Sequence, residues 1–153
     1  MAFYKKVVRQ LDRMSVLTER DLSICCARCA KRFQAAYIRA FLDFLQKEGQ
    51  LLPYSGQGEE QRYLTGTFVT GCEALFLKEG AATKQEFAQV CAQADAVRRL
   101  GLSGRRLASL VLERLLARDE VEKVELADLG EALYVAKNQR SDAKMTRREI
   151  SLD

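Results

Sequence analysis

The segment that decides the fold runs from Thr18 to Gly49 and reads TERDLSICCARCAKRFQAAYIRAFLDFLQKEG. It has no internal glycine or proline, and an apolar residue returns every three or four positions, the spacing that holds one side of a helix against a core. The residues of this apolar stripe are Leu22, Cys26, Cys29, Phe33, Ala36, Ala40 and Phe44. The pattern predicts one long central helix from about Thr18 to Glu48.

Both ends of the predicted helix carry sequence signals. Thr18 is suited to cap the first turn, and Asp21 stands three residues later as the partner in a capping box. Leu17 and Leu22 occupy the positions of a hydrophobic staple, and Gly49 supplies a stop.

A basic stripe lies on the opposite side of the same predicted helix. At about 100° per residue, its members are Arg28, Lys31, Arg32 and Arg39. Solvated helix faces usually mix charges of both signs, but Asp43 is the only acid between residues 31 and 46. A phosphate backbone suits such a row because each contact releases counterions. A solvated face and an acidic protein partner are the alternatives.

The rest of the chain predicts further helices. Apolar spacing predicts a first helix from Phe3 to Met14, and a capping box at Thr83 begins another helix that ends near Gly101. Ser103 or Gly104 opens the next one, and a last helix reaches about Lys137. Residues 63–79 fit either a strand or a helix, and we favour the helix.

We therefore expect an all-α fold, a compact bundle of five or six helices around the long central one. The helical domain would span residues 1–137, with a surface loop over about 49–62 between its two halves. Residues 138–153 are polar and charged, which predicts a flexible tail. The sequence shows no internal repeat.

Charge alternates along the chain, although the net charge is only +4. Residues 1–48 carry ten basic against five acidic side chains, and residues 98–118 carry six against one. Both stretches between and after them are acidic, which indicates a basic surface with acidic flanks.

Two arginine pairs form a second basic element within residues 98–106. Arg98 and Arg99 are separated from Arg105 and Arg106 by a turn of glycine, leucine and serine, and the second pair stands where a helix begins. Free backbone N–H groups at that start add to the guanidinium charge, so the pairs predict an anion site. A helix end at Gly101 followed by a flexible turn is the plain alternative.

Several chemistries have no support in the sequence. The chain has no histidine, which removes the usual general base and the commonest metal ligand, and it has neither common nucleotide-binding glycine motif. The CxxC spacing of Cys26 and Cys29 lies inside the predicted helix, and a zinc site would need Cys72 and Cys91 as well. We expect core packing for these cysteines, no metal, no cofactor and no enzymatic activity.

The cellular location follows from the same composition. No apolar run approaches the ~18 residues of a membrane span, and the N-terminus lacks the layout of a signal peptide. Five cysteines suit a reducing compartment better than a disulfide framework. The prediction is a cytoplasmic protein without a membrane partner.

These features favour a non-catalytic subunit that holds a nucleic-acid backbone, DNA or RNA, with little sequence specificity. In length, helix content and its basic faces over residues 28–39 and 98–106, the chain resembles the helical small subunits of CRISPR effector complexes, which act in antiviral defence. The resemblance implies other protein subunits as partners, and further copies of the chain side by side along an RNA scaffold.

Two other classes remain open. A helix-turn-helix or winged-helix DNA-binding regulator would have the long helix broken near Lys31 and a wing over residues 63–70. A helical adaptor would bind no nucleic acid and would grip another protein with its long helix.

Overall fold

The fold is mixed α/β, so the all-α prediction is wrong. The structure, a computed structural model, describes residues 2–54 and 60–137. The described residues form seven α-helices, one 3-10 helix and two three-stranded antiparallel sheets. The chain divides into two compact units, Met1–Thr70 and Gly71–Asp153. The predicted flexible tail, residues 138–153, lies outside the described residues.

The first unit combines three helices with one sheet. In chain order its elements are α1 (Ala2–Leu11), β1 (Val16–Thr18), α2 (Glu19–Cys29), a 3-10 helix (Ala35–Tyr37), α3 (Ile38–Lys47), β2 (Leu51–Tyr54) and β3 (Arg62–Thr65). The central strand is β3, with β1 and β2 antiparallel on its two sides. The stretch predicted as a surface loop thus contains β2, whose Leu52 pairs with Leu64.

The single long central helix is also wrong, because the chain breaks after Cys29. Residues 30–34 form a turn, and the 3-10 helix then leads into α3. The predicted capping box is confirmed: Thr18 Oγ1 accepts from Asp21 N at 3.2 Å, and Thr18 N donates to Asp21 Oδ2 at 2.9 Å. It caps the eleven-residue α2 rather than a helix of thirty residues.

The break has a physical cause in the positions of the buried side chains. Buried residues of α2 are Leu22, Cys25 and Cys26, and those of α3 are Ile38, Leu42 and Leu45. In one continuous helix Ile38 would lie about 160° around the axis from Leu22, on the opposite side. Both sets reach one core only if the chain folds back between them. The predicted stripe fails beyond this break, where Ala36, Ala40 and Phe44 are exposed.

The second unit has the same kinds of elements. They are α4 (Gly66–Glu79, which begins in the first unit), β4 (Ala81–Thr83), α5 (Lys84–Gln93), α6 (Asp95–Arg99), α7 (Gly104–Ala117), β5 (Val121–Leu126) and β6 (Glu131–Ala136). Its central strand is β6, with β4 and β5 antiparallel on its two sides. The ambiguous stretch over residues 63–79 contains both structures, a strand to Thr65 and then a helix.

The predicted last helix is a β-hairpin. Its helical spacing came from Leu126, Leu129 and Leu133, but residues 127–130 form a turn in which Gly130 has φ +66°. Antiparallel pairing of β5 with β6 places Leu126 opposite Glu131. The strands bury Tyr134 and other alternate residues of β6, which is the period of a half-buried strand.

A buried carboxylate ties α4 to α7 within the second unit. Glu73 is 3% exposed and forms ion pairs with the guanidinium groups of Arg114 and Arg118, the former at 3.8 Å. Arg118 also donates from Nε to Glu120 Oε2 at 2.9 Å. Such a buried charge is tolerated because it is paired.

The two units repeat one topology that the sequence did not reveal. Each first strand ends in a threonine that caps the next helix in a capping box, Thr18 in the first unit and Thr83 in the second. The last helix of each unit, α3 or α7, is followed two positions later by a residue with positive φ, Gly49 at +75° and Asp119 at +59°. In both units the next residue donates its amide to the carbonyl five positions earlier, at 2.9 Å.

Each unit runs in the order helix, strand, helix, short helix, helix, strand, strand, with the last strand central. The short helix is the 3-10 helix in the first unit and α6 in the second. We call the stretch from α2 to α3, and that from α5 to α7, the helix-turn-helix of its unit, and the last two strands of each unit form a hairpin. Among the helices that the structure describes, none combines the length and apolar character needed to cross a membrane.

Candidate nucleic-acid interface

The basic stripe of the first unit lies around the helix-turn-helix rather than along one helix. Arg28 belongs to the last turn of α2, Lys31 and Arg32 to the turn, and Arg39 to the first turn of α3; all four are exposed. Arg39 pairs through Nε with Glu19 Oε1 at 3.5 Å, so its charge is partly neutralised. Three of these cations therefore lie at the end of α2 and in the turn, and the fourth, Arg39, lies at the start of α3.

Short backbone hydrogen bonds and one aromatic anchor hold this turn. Ala30 N donates to the Cys26 carbonyl at 3.0 Å, and Phe33 N donates to the Ala30 carbonyl at 3.1 Å. The Phe33 ring stacks on Phe3 of α1, with 5.7 Å between centroids. Residues 31 and 32 therefore lie at the exposed tip of an anchored turn.

The second arginine cluster occupies the corresponding elements of the second unit. Arg98 and Arg99 form the last turn of α6, and Arg105 and Arg106 lie in the first turn of α7; all four are exposed. Arg98 donates to the Gln93 carbonyl at 3.2 Å and lies 3.6 Å from an Asp95 oxygen, so it is partly engaged locally.

The turn between these pairs is ordered by its own hydrogen bonds. Gly101 has φ +65°, and Leu102 N donates to the Val97 carbonyl at 2.9 Å, which closes the end of α6. Ser103 then caps α7, accepting from Arg106 N at 3.3 Å. The helix end at Gly101, which was the plain alternative, is therefore present. It forms a defined turn between the two arginine pairs.

Arg105 borders a groove of about 690 Å³ in the second unit. Its lining residues are Thr83, Lys84, Gln85, Ala88, Gln89, Ala92, Gly104, Arg105, Ser109, Lys123, Glu131, Ala132 and Tyr134. Three cations reach it from three elements, namely Lys84 of α5, Arg105 of α7 and Lys123 of β5. Within the described residues, neither Lys84 nor Arg105 has a carboxylate partner.

Small residues create the floor of this groove. Gly104 lets α7 approach α5 closely, since a Cβ there would lie 2.5 Å from the Ala88 carbonyl oxygen. Ala92 and Ala132 add little side-chain volume, so space remains between the helices and the sheet. Lys123 extends over the ring of the buried Tyr134, with Nζ 6.0 Å from the centroid.

Lys84 and Lys123 are not among the candidates predicted from the sequence. Lys84 is a single cation in a capping box, and Lys123 stands in an acidic stretch between Glu122 and Glu125. Only the pairing of β5 with β6 and the packing of α5 bring both to Arg105. No local signal in the sequence marks that convergence.

The hairpin of the second unit carries the opposite charge. Glu122, Glu125, Asp128 and Glu131 are all exposed on it, against one exposed cation, Lys123. Such a hairpin repels phosphate, so the exposed cations that could meet an anion on this unit are those of α7, the preceding turn and the groove.

The cysteines act as small apolar core groups. Cys26 and Cys91 are almost completely buried, and burial raises the pKa of each thiol to about 12. Burial likewise raises the pKa of Cys25 and Cys72 to about 11. A thiol held protonated in this way is a poor metal ligand. Within residues 2–54 and 60–137, no group of three potential ligands could hold a metal ion.

Sequence comparisons found no protein family and no curated protein that matches this chain. The likeness to helical small subunits of CRISPR effector complexes stays a prediction. Helix content was one of its supports, and the two sheets remove that support.

Proposed function

We propose that this chain is a non-catalytic nucleic-acid-binding protein that holds a phosphate backbone through the helix-turn-helix of each unit. It binds with little sequence specificity and acts as a subunit of a larger ribonucleoprotein or DNA-targeting assembly. Backbone contacts of this kind position a duplex or strand without selecting bases.

One observation carries the proposal. The two basic clusters were identified from charge alone, and both fall on corresponding elements of the two units: the stretch that leads into α3 or α7, and the first turn of that helix. In helix-turn-helix proteins, this part of the molecule faces the nucleic acid. Two unrelated surface charges would have no reason to share that place.

A DNA-binding regulator is the second candidate, and the break in the helix favours it. That interpretation required the long helix to break near Lys31 and a wing over residues 63–70. The helix does end at Cys29, but only residues 63–65 of the expected wing belong to a strand, β3, because α4 begins at Gly66. A regulator selects a sequence, whereas a backbone-holding subunit does not, so affinity for unrelated sequences separates the two.

The proposal places the protein in the cytoplasm, with other subunits or further copies of itself as partners. All five cysteines are free, which suits a reducing compartment. The proposal needs no cofactor and no metal.

Fluorescence anisotropy with single- and double-stranded DNA and RNA at two salt concentrations tests this function. The variants Arg28→Ala/Arg32→Ala and Arg105→Ala/Arg106→Ala should each weaken binding to arbitrary sequences. Each should also flatten the salt slope by about one unit for every phosphate that the variant no longer neutralises.

Arg9→Ala/Arg13→Ala is the matched control, because both arginines are exposed on the first unit but lie outside its helix-turn-helix. It should change the binding free energy by less than about 1 kcal/mol, the size of a screened surface effect. An equal loss of affinity in the control, or no binding by the parent protein, would instead favour the adaptor class.

A further inference from the structure

An aromatic cluster covers one side of the first unit next to its helix-turn-helix. Its members are Phe3 and Tyr4 of α1, Phe33 of the turn, Tyr37 of the 3-10 helix, and Phe41 and Phe44 of α3. Ring centroids of neighbouring members lie 5.4 to 6.5 Å apart. These rings hold one another in place, so they are preorganised for a ligand.

Two rings of the cluster are open to solvent. Tyr37 is 56% exposed and Phe44 is 40% exposed. Tyr37 ends the 3-10 helix that leads directly into α3, and Phe44 lies in α3 seven residues later. This spacing places the two residues on one side of the helical stretch, about 10 Å apart along its axis. That distance corresponds to about three stacked bases at 3.4 Å each. Exposed apolar patches of this kind mark binding surfaces.

Four cations lie close to members of this cluster along the chain. Lys31 and Arg32 directly precede Phe33, Lys6 stands one helical turn beyond Phe3, and Lys47 one turn beyond Phe44. All four are exposed, and none has an ion-pair partner in the part of the chain that the structure describes. Two acids lie in the same part of the chain, Asp43 within α3 and Glu48 directly after it.

We infer that the aromatic cluster binds single-stranded nucleic acid, with unpaired bases stacking on Tyr37 and Phe44 while the surrounding cations hold the phosphates. Exposed rings within a basic surface are the combination that binds single strands without sequence preference, because every base offers a π-face. A base paired within a duplex cannot present that face. The inference rests on the proposed function and specifies single-stranded nucleic acid as the ligand.

Charge decides between nucleic acid and a protein at this surface. An apolar protein partner needs no cations around its contact, whereas a strand brings one negative charge with every base. The four unpaired cations around the cluster therefore favour the strand over an apolar helix.

The test compares three probes of equal length: a deoxythymidine oligonucleotide, its abasic counterpart and a duplex. The single strand should bind most tightly, and removal of the bases should weaken it. Tyr37→Ala and Phe44→Ala should each weaken the single strand by about tenfold to a hundredfold and leave the duplex unchanged. Tyr37→Phe should retain binding because the ring remains.

Ile24→Ala is the matched control, since Ile24 is a 45% exposed apolar residue on α2, outside the cluster. It should bind all probes as the parent does. If the arginine variants lose affinity while the Tyr37 and Phe44 variants do not, the stacking inference is overturned and the proposed function stands. If the parent binds none of the probes, both fall.

Discussion

Replacing Gly104 with alanine should destabilise the second unit, although alanine is the better helix former. A Cβ at this first residue of α7 would lie 2.5 Å from the Ala88 carbonyl oxygen and 3.0 Å from the Ala92 Cβ. The nearer atom belongs to the backbone of α5, so a helix must move. Overpacking of this kind costs about 1–3 kcal/mol, whereas the gain in helix propensity is at most about 1 kcal/mol. With the full gain subtracted, we expect the free energy of unfolding to fall by up to about 2 kcal/mol.

Gly71→Ala is the matched substitution, and its effect should have the opposite sign. Gly71 lies inside α4, and no atom lies within 4 Å of a Cβ built there. Alanine therefore gains helix propensity and restricts the unfolded chain without a clash. The expected stabilisation is about 0.5–1 kcal/mol.

Thermal and urea unfolding followed by circular dichroism measure both effects. In a unit of this size, about 1 kcal/mol moves the midpoint by about 4–8 °C. Gly104→Ala should therefore lower the midpoint by several degrees, and Gly71→Ala should raise it. If both variants raise the midpoint by the same amount, helix propensity alone determines the stability change. The close approach of α5 to α7 is then refuted.

Two further predictions concern buried groups. Because burial raises the pKa of Cys26 and Cys91 from 9.0 to about 12, folding favours their protonated thiols. This contribution to stability is complete below about pH 9 and is lost as pH rises toward about 12. The free energy of unfolding measured with urea should therefore decline above about pH 9, and Cys26→Ala/Cys91→Ala should make that decline less steep. Arg118→Ala should lower the free energy of unfolding by about 2–3 kcal/mol, because the buried Glu73 then has only Arg114 as an ion-pair partner. A double-mutant cycle with Glu73→Gln measures the coupling between Arg118 and Glu73.

The sequence located most helix starts because capping is local. Thr18 and Thr83 need only the residue three positions on, so both capping boxes were visible before any tertiary structure. The break after Cys29 was missed because no glycine or proline marks it. Its cause is that Leu22 and Ile38 must face the same core, which the helical wheel shows only once both are known to be buried.

The strands were harder to predict because they are short and their pairing is not local. β1 and β4 have three residues each, too few for a period to be seen. In residues 121–136, leucines at helical spacing concealed a hairpin whose signal was Gly130 after Asp128. The arginines and lysine of the two basic elements were found by counting charge, but their common place in two units depended on the fold.

Apart from the two threonine capping boxes, the repeat is preserved in the backbone rather than in side chains, which explains why the sequence hides it. Thr65 N donates to the Ser15 carbonyl at 3.0 Å, and Ala136 N donates to the Gly80 carbonyl at 2.7 Å, so one hydrogen bond closes the sheet in both units with unrelated residues. Surface chemistry is then free to diverge: α3 has exposed aromatic rings beside it, whereas α7 borders a cationic groove next to an acidic hairpin. Under the proposed function, each copy of the scaffold would therefore bind nucleic acid in its own way, the first through bases and phosphates and the second through phosphates alone.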